Sequence, residues 1–245
     1  ETSVSDNTLV AGVAAAVGCV AHDEFDNEII DVAALENGDL LDLDHAAELL
    51  IEPPLGLDFV VRGTLVGDYD VACRFGDVVD PTPEVITVRA GLPAFSHTTL
   101  SANDAFPTDP VQVSCDVTDT YGNSLEGYDT VVSILAANGS TASQNGALVL
   151  GNQVSAVIVG SYYVFCSVPG YGAGDESPAI LTLKGGLPFS WNVDLLDYDC
   201  FIQGLELPIE VTVFDRWGNR IAEPVLDVIV NPVSGVVGTL DGGLI

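Results

Sequence analysis

The side chains best able to do chemistry in this chain are carboxylates, 36 Asp and Glu against 6 Lys and Arg in 245 residues. Hard cations want several oxygen ligands, and two groups of acids lie close enough in sequence to supply them. These are Asp39, Asp42 and Asp44, and Asp194, Asp197 and Asp199. Neither has the spacing or the glycine of a helix-flanked calcium loop, so solvated surface acid is the simpler reading. No motif demands a cofactor, and Ca2+ at these acids is the single candidate. Catalysis has less support still. His22, His45 and His97 are scattered, and no Gly-x-Ser-x-Gly, His-Glu-x-x-His or Cys-x-x-Cys pattern occurs. The run Gly170-Tyr171-Gly172-Ala173-Gly174 has a nucleotide loop's composition but lacks the following helix whose N-terminus would hold phosphates. The expectation is a protein that is not an enzyme.

Positioning any of these groups requires a fold, and composition says one forms. The net charge is −30, yet 48% of residues are hydrophobic and mean hydropathy is +0.38, enough apolar surface to offset the entropy of ordering. With no cluster of Lys or Arg, the chain cannot neutralise phosphates, so nucleic acids and anionic membrane surfaces are poor partners. The longest apolar run, Leu9 to Ala21, is shorter than the roughly 20 residues of a membrane-spanning helix and is broken by Gly12 and Gly18. Glu1 and Asp6 stand where a signal peptide would be basic. With no Met present, Glu1 reads as internal to a processed or excised chain.

Self-similarity sets the architecture. Val85-Ile86-Thr87-Val88-Arg89-Ala90-Gly91-Leu92-Pro93 returns as Ile180-Leu181-Thr182-Leu183-Lys184-Gly185-Gly186-Leu187-Pro188, 95 residues on. A second motif occurs three times at intervals of 96, as Asp23-Glu24-Phe25-Asp26-Asn27, Asp119-Thr120-Tyr121-Gly122-Asn123 and Asp215-Arg216-Trp217-Gly218-Asn219. A third, Gly67-Asp68-Tyr69 leading to Cys73, recurs 93 residues later as Gly160-Ser161-Tyr162 leading to Cys166. The predicted domains are 1–92, 93–187 and a partial 188–245, each Gly-Leu-Pro being a joint because Pro ends a ladder and Gly turns freely. The last stops short of residue 260, near which its own Gly-x-Tyr strand is due. Either the array is longer, or the missing strands come from elsewhere.

Inside each repeat the period is two. Val111, Val113, Cys115 and Val117 alternate with Gln112, Ser114, Asp116 and Thr118, and Ile209, Val211 and Val213 do the same, which predicts half-buried strands of an antiparallel sandwich. The Asp-x-aromatic-Gly-Asn pentapeptide then reads as a turn, with Asn and Gly supplying positive φ. One stretch, Asp44 to Leu50, is helix-like with Asp44 as cap. Four cysteines allow three pairings, of which only Cys19–Cys73 and Cys115–Cys166 stay within a repeat and join facing sheets. Such bonds imply an oxidising compartment; buried free thiols are the alternative. Cys200 is left over, its partner beyond residue 245 or in another chain.

The Asp-x-Tyr-Gly-Asn turn, followed about 40 residues later by Gly-x-Tyr-x-Val-x-Cys, resembles the bacterial immunoglobulin-like domains found in tandem in invasin-type and other surface proteins. The resemblance covers all three repeats, the first being the most divergent. It implies an all-β fold of tandem immunoglobulin-like sandwiches, the third incomplete. It also implies a non-enzymatic extracellular or cell-surface role as stalk, surface layer or adhesin. The implied partners are a protein or glycan surface, or further copies in a filament or layer. Two alternatives are a Ca2+-dependent or carbohydrate-binding surface module, and a filament subunit whose last domain is completed by a neighbour's strand.

Candidate binding elements are the segments after the Gly-x-Tyr strands, 74–84 and 167–178, read as long loops bearing Phe75, Asp77 and Tyr171, with Phe75 and Tyr171 as exposed anchors. A second candidate is the outer face of the first strand, where Ala16, Gly18 and Val20 replace Gln112, Ser114 and Asp116. The 44–50 stretch covers it, or a partner does. Asn138-Gly139-Ser140 is a glycosylation sequon. The acid is uneven: 19 acidic against 3 basic residues in 1–92, 8 against 1 in 93–187 and 9 against 2 in 188–245. Any cation or basic partner would be sought first on the first domain.

Overall fold

The computed structural model describes residues 1–29, 38–42, 49–55, 58–139, 146–195 and 209–226. The described residues are all-β, with no helix among them. The chain packs into two compact units, one of Glu1–His97, Asp116–Val131 and Ser167–Glu176, the other of Thr98–Cys115, Val132–Cys166 and Ser177–Ile245.

In the first unit two sheets form an immunoglobulin-like sandwich. Strands Thr2–Val4, Ala14–Cys19, Asp58–Gly63 and Leu49–Leu55 make one sheet in that order. Thr8–Val10, Glu84–Arg89, Gly67–Phe75 and Gly38–Asp42 make the other, with Val78–Val79 folded back on Gly67–Phe75. Alternation decides the core. Ala15, Val17 and Cys19 point inward with Phe59 and Val61, meeting Leu9, Tyr69, Val71, Cys73, Ile86 and Val88 of the second sheet. The Cys19–Cys73 disulfide, Cα atoms 5.7 Å apart, links the two layers. Pro53 and Pro54 lie on the edge strand Leu49–Leu55, where the register shifts between Glu52 and Leu55. A missing N–H costs nothing at such an edge.

The pairing is not wholly antiparallel as expected. The chain enters along Thr2–Val4, antiparallel to Ala14–Cys19, then crosses to the other sheet, where Thr8–Val10 runs parallel to Glu84–Arg89. Asp104–Ala105 repeats this against Ala179–Leu183.

The helix-like reading of 44–50 is corrected where it is described: Leu49 and Leu50 begin the strand Leu49–Leu55, while residues 43–48 lie outside the described residues. That strand extends the sheet sideways rather than covering its outer face. There Val60 and Arg62 stand opposite Ala16 and Ala14, and Arg62 pairs with Glu52 at 3.6 Å. Ala16 is exposed.

A second core in the other unit gathers Val111, Val113, Val132, Ile134, Val154, Tyr162, Val164, Cys166, Leu181 and Leu183, with Cys115 bonded to Cys166. Its ladders pair Val111 with Val154 and Tyr162 with Leu181. Among the described residues of the same unit, Ser190–Leu195 pairs antiparallel with Ile209–Phe214. Cys200 lies outside the described residues.

One buried carboxylate had no signal in the sequence. Asp80 accepts hydrogen bonds from the Thr2 N–H at 2.6 Å and hydroxyl at 2.8 Å through one oxygen, and from the Thr82 N–H and hydroxyl through the other. Thr2 Oγ1 in turn accepts from the Cys73 N–H, so the first strand is latched beside the disulfide. Burial works to raise the Asp80 pKa, but the donors of Thr82 and Thr2 outweigh it and hold it at about 2. A carboxyl depressed below its ordinary 3.8 contributes stability that is complete above that value and lost as pH falls toward 2. We expect Asp80 to account for about 2 kcal/mol of the stability that the wild type loses between pH 4 and pH 2, read as the difference in urea unfolding between wild type and Asp80→Asn. Asp80→Asn should be weaker at pH 7 and flatter across that window.

Candidate functional site

The repeated pentapeptide builds the most elaborate polar site among the described residues. Strand Val111–Thr118 runs into Asp119, and the chain reverses with Asp119 N–H donating to Asn123 O at 3.0 Å and Gly122 N–H to Asp119 O at 3.1 Å. Gly122 sits at φ 85°, a left-handed conformation that costs a residue with a Cβ about 1 kcal/mol or more. A Cβ there would meet nothing within 4 Å. Gly122→Ala and Gly218→Ala should therefore each cost about 1 kcal/mol, from backbone strain alone. Chemical denaturation of each variant checks this.

Asp119 is 1% exposed and Asn123 7%. One carboxylate oxygen of Asp119 accepts from the N–H groups of Tyr121 and Asn123, at 2.8 and 2.9 Å. The other accepts from the Asn123 side-chain amide and from the Gly91 N–H, both at 2.8 Å. Gly91 belongs to the Gly-Leu-Pro joint. Asn123 spends its remaining capacity on a third segment, its amide donating to Thr64 O at 2.8 Å and its carbonyl accepting from Val66 N–H at 2.9 Å. Between them, Leu65 O accepts the Tyr69 hydroxyl at 2.8 Å, the corner made by the Gly-x-Tyr strand. The Tyr121 ring lies over Gly12, where an added Cβ would come within 2.6 Å of it. All of this lies within the first unit.

The second unit repeats the arrangement. Asp215 accepts from Trp217 and Asn219 N–H through one oxygen, and from the Asn219 amide and Gly186 N–H, the latter at 3.1 Å, through the other. Asn219 reaches Val157 O at 2.7 Å and Val159 N–H at 3.0 Å, and the Tyr162 hydroxyl holds Ile158 O at 2.6 Å. Three motifs recognised separately in the sequence thus converge at one joint, twice.

In both aspartates burial acts to raise the pKa. It is outweighed by the N–H donors, chiefly Gly91 and Asn123 for one and Asn219 and Gly186 for the other, so both carboxyls sit below the ordinary value. The buried charge is neutralised by backbone and amide dipoles. Such a site holds no nucleophile and no acid poised near neutrality; it ties three chain segments together.

The first copy forms the same turn without the rest. Asp23 accepts from Phe25 and Asn27 N–H, both at 2.9 Å, and from the Asn27 side chain, which draws its pKa down. Asp26, at φ 66°, takes the place of glycine. Among the described residues the hydrogen bonds of Asp23 and Asn27 stay within the turn. Both are exposed, and Phe25 is 77% exposed where Tyr121 is 44% and Trp217 39%.

The other sequence candidates are described in part. Asp39 and Asp42 lie on Gly38–Asp42 and Asp194 on Ser190–Leu195, where Asp194 accepts from the Asn192 amide. Asp44, Asp197 and Asp199 fall outside the described residues. Among the described residues no group of three or more His, Cys, Asp or Glu is arranged to hold a metal ion. Phe75 is not an exposed anchor: it is half-buried against the first core. The segment after it is a hairpin through Gly76 and Asp77, not a long loop, with Phe75 opposite Val78. Asp77 is exposed at its tip. Tyr171 is exposed and stacks edge-on against Tyr128, centroids 5.5 Å apart; the chain after it re-enters a ladder as Ala173–Asp175.

The sequence matches no family model and no curated protein. Among solved structures, the chain is similar to FdeC, an Escherichia coli adhesin, at 16% identity over 91% of this chain and 75% of that one, with a TM-score of 0.48. It is also similar to invasin, a bacterial integrin-binding protein, at 12% identity over 91% and 48%, TM-score 0.45. InvD of Yersinia pseudotuberculosis gives 13% identity over 90% and 72%, TM-score 0.43. No helix among the described residues is long and apolar enough to cross a membrane.

Proposed function

We propose that the chain is a non-enzymatic extracellular structural or adhesive protein, serving as stalk, surface layer or adhesin. Its immunoglobulin-like modules, 1–92, 93–187 and 188–245, are coupled in series by the repeated joint. The observation that carries this is the recurrence of one hydrogen-bond set, with a buried Asp and Asn reaching back to a Gly-Leu-Pro glycine and to a loop braced by tyrosine. A joint built twice to the same plan serves to transmit position from module to module, and the fold-spanning disulfides suit an oxidising exterior. Small-angle scattering tests it. An elongated particle whose maximum dimension becomes distributed in an Asn123→Ala, Asn219→Ala variant supports the reading, and a compact globule overturns it.

A second reading, a filament subunit completed by a strand from a neighbouring copy, is favoured by the two-stranded ladder of Ser190–Leu195 with Ile209–Phe214, on which Trp191 and Val193 are exposed. Light scattering that shows concentration-dependent growth, abolished by Trp191→Ser with Val193→Ser, supports it. A monomer at all concentrations excludes it.

A further inference from the structure

We infer that the exposed Asp23–Asn27 turn is the docking face for a further immunoglobulin-like module joined ahead of it in the same polypeptide, seated as the Asp119 and Asp215 turns are. This rests on reading the joint as a coupling between successive modules.

Three observations identify the occupant. The turn is preformed, since Asp23 already collects Phe25 and Asn27 N–H as Asp119 collects Tyr121 and Asn123. It keeps the Asp, the aromatic and the Asn, yet Asp23 and Asn27 are exposed where their counterparts are buried, and Phe25 is 77% exposed against 44% for Tyr121 and 39% for Trp217. Positive φ is carried by Asp26, Gly122 and Gly218 and not by the asparagines; in all three copies the Asn amide donates to the Asp carboxylate within the turn, and the seated copies add bonds beyond it. In both seated copies that amide reaches one carbonyl and one N–H two residues apart, on Thr64 and Val66 and on Val157 and Val159.

The source of the socket follows from the joint glycine. Gly91 precedes Asp119 by 28 residues and Gly186 precedes Asp215 by 29. The glycine amide that completes the carboxylate shell is thus supplied by the covalent connection from the preceding module, so a separate molecule would lack a connected donor. The two sockets described in this chain are moreover already filled. The docked turn should gain a glycine N–H on Asp23, a loop N–H and a loop C=O on Asn27, and cover for the Phe25 ring.

The test is an extended chain in which residues 1–96 are placed directly ahead of Glu1 of the full sequence. This sets the added Gly91 28 residues before the original Asp23, matching the first native joint. The peptide across the new junction is unique in mass, so hydrogen exchange at its Gly91 amide can be followed. We expect that amide to exchange at least about tenfold more slowly than in the same extended chain carrying Asp23→Ala and Asn27→Ala in the original module. Equal exchange in the two overturns the inference. Asp119→Ala in the unextended chain is the companion measurement. If it speeds exchange at native Gly91 while the new junction stays unprotected, this inference alone falls. If it does not, the coupling role of the joint falls with it. Because Asp23 and Asn27 are exposed, their replacement leaves the sandwich core intact, which intact Cys19–Cys73 bonding in the variant confirms.

Discussion

Asp119→Ala, or equally Asp215→Ala, is expected to lower unfolding free energy by about 3 kcal/mol or more, because it strands buried donors rather than merely deleting a charge. Four N–H groups converge on the Asp119 carboxylate, from Gly91, Tyr121, Asn123 and the Asn123 side chain. The site is all but closed to water, so few of those donors find a replacement acceptor. Asp119→Asn keeps the shape but turns an NH2 toward the Gly91 N–H or the Asn123 amide, and should recover less than half the loss. Calorimetry or urea denaturation measures both, and a loss below about 1 kcal/mol for the alanine variant would show that the joint is dispensable to stability. The same carboxylates have depressed pKa values, so their contribution is present above the ordinary range near 3.8 and fades as pH falls below it. Acid should therefore cost the wild type more stability than it costs the Asp119→Ala, Asp215→Ala variant, in which Asp80 still titrates.

Replacing Cys115 and Cys166 together by alanine should cost about 4 kcal/mol, and the same holds for Cys19 with Cys73. The bonds close loops with sequence separations of 51 and 54 residues, for which the chain-entropy model assigns about that much to restriction of the unfolded state. Cys19–Cys73 also joins the two sheets of its unit, and each bond lies in a core whose members are nearly all fully buried. A reducing agent should reproduce the loss in the wild type and add nothing to the double replacements. Melting measured with and without reductant decides it, and an unchanged midpoint would show that the cross-links are structurally redundant.

Much of the fold was legible because it rests on local chemistry. Alternation at Val111, Val113 and Val117 marks an inward face whatever lies opposite, and those residues are buried. The period of the three motifs marks the repeats without reference to any contact. The cysteine positions follow from that period, and the structure joins Cys19 to Cys73 and Cys115 to Cys166.

Other features were illegible for physical reasons that can be named. The asparagine of the pentapeptide was read as a provider of positive φ, whereas φ there belongs to the preceding glycine and the asparagine is selected by its amide. The segments it grips, 64–66 and 157–159, offer only backbone N–H and C=O, so their side chains, Thr-Leu-Val in one and Val-Ile-Val in the other, carry no trace of the role. Asp80 and Thr2 are 78 residues apart and signal nothing until the first strand is laid beside the disulfide. Phe75 could be placed in a loop only by passing over the Gly76-Asp77 pair, a two-residue hairpin connection between Phe75 and Val78.

Period, polarity and turn residues are properties of neighbours along the chain, and these already specified a repeated all-β protein. Which backbone groups complete the buried Asp and Asn, and why the same turn is enclosed at Asp119 and Asp215 but open at Asp23, depended on segments tens of residues away being brought within hydrogen-bonding distance. Composition cannot encode that proximity when the partners contribute peptide groups common to every residue.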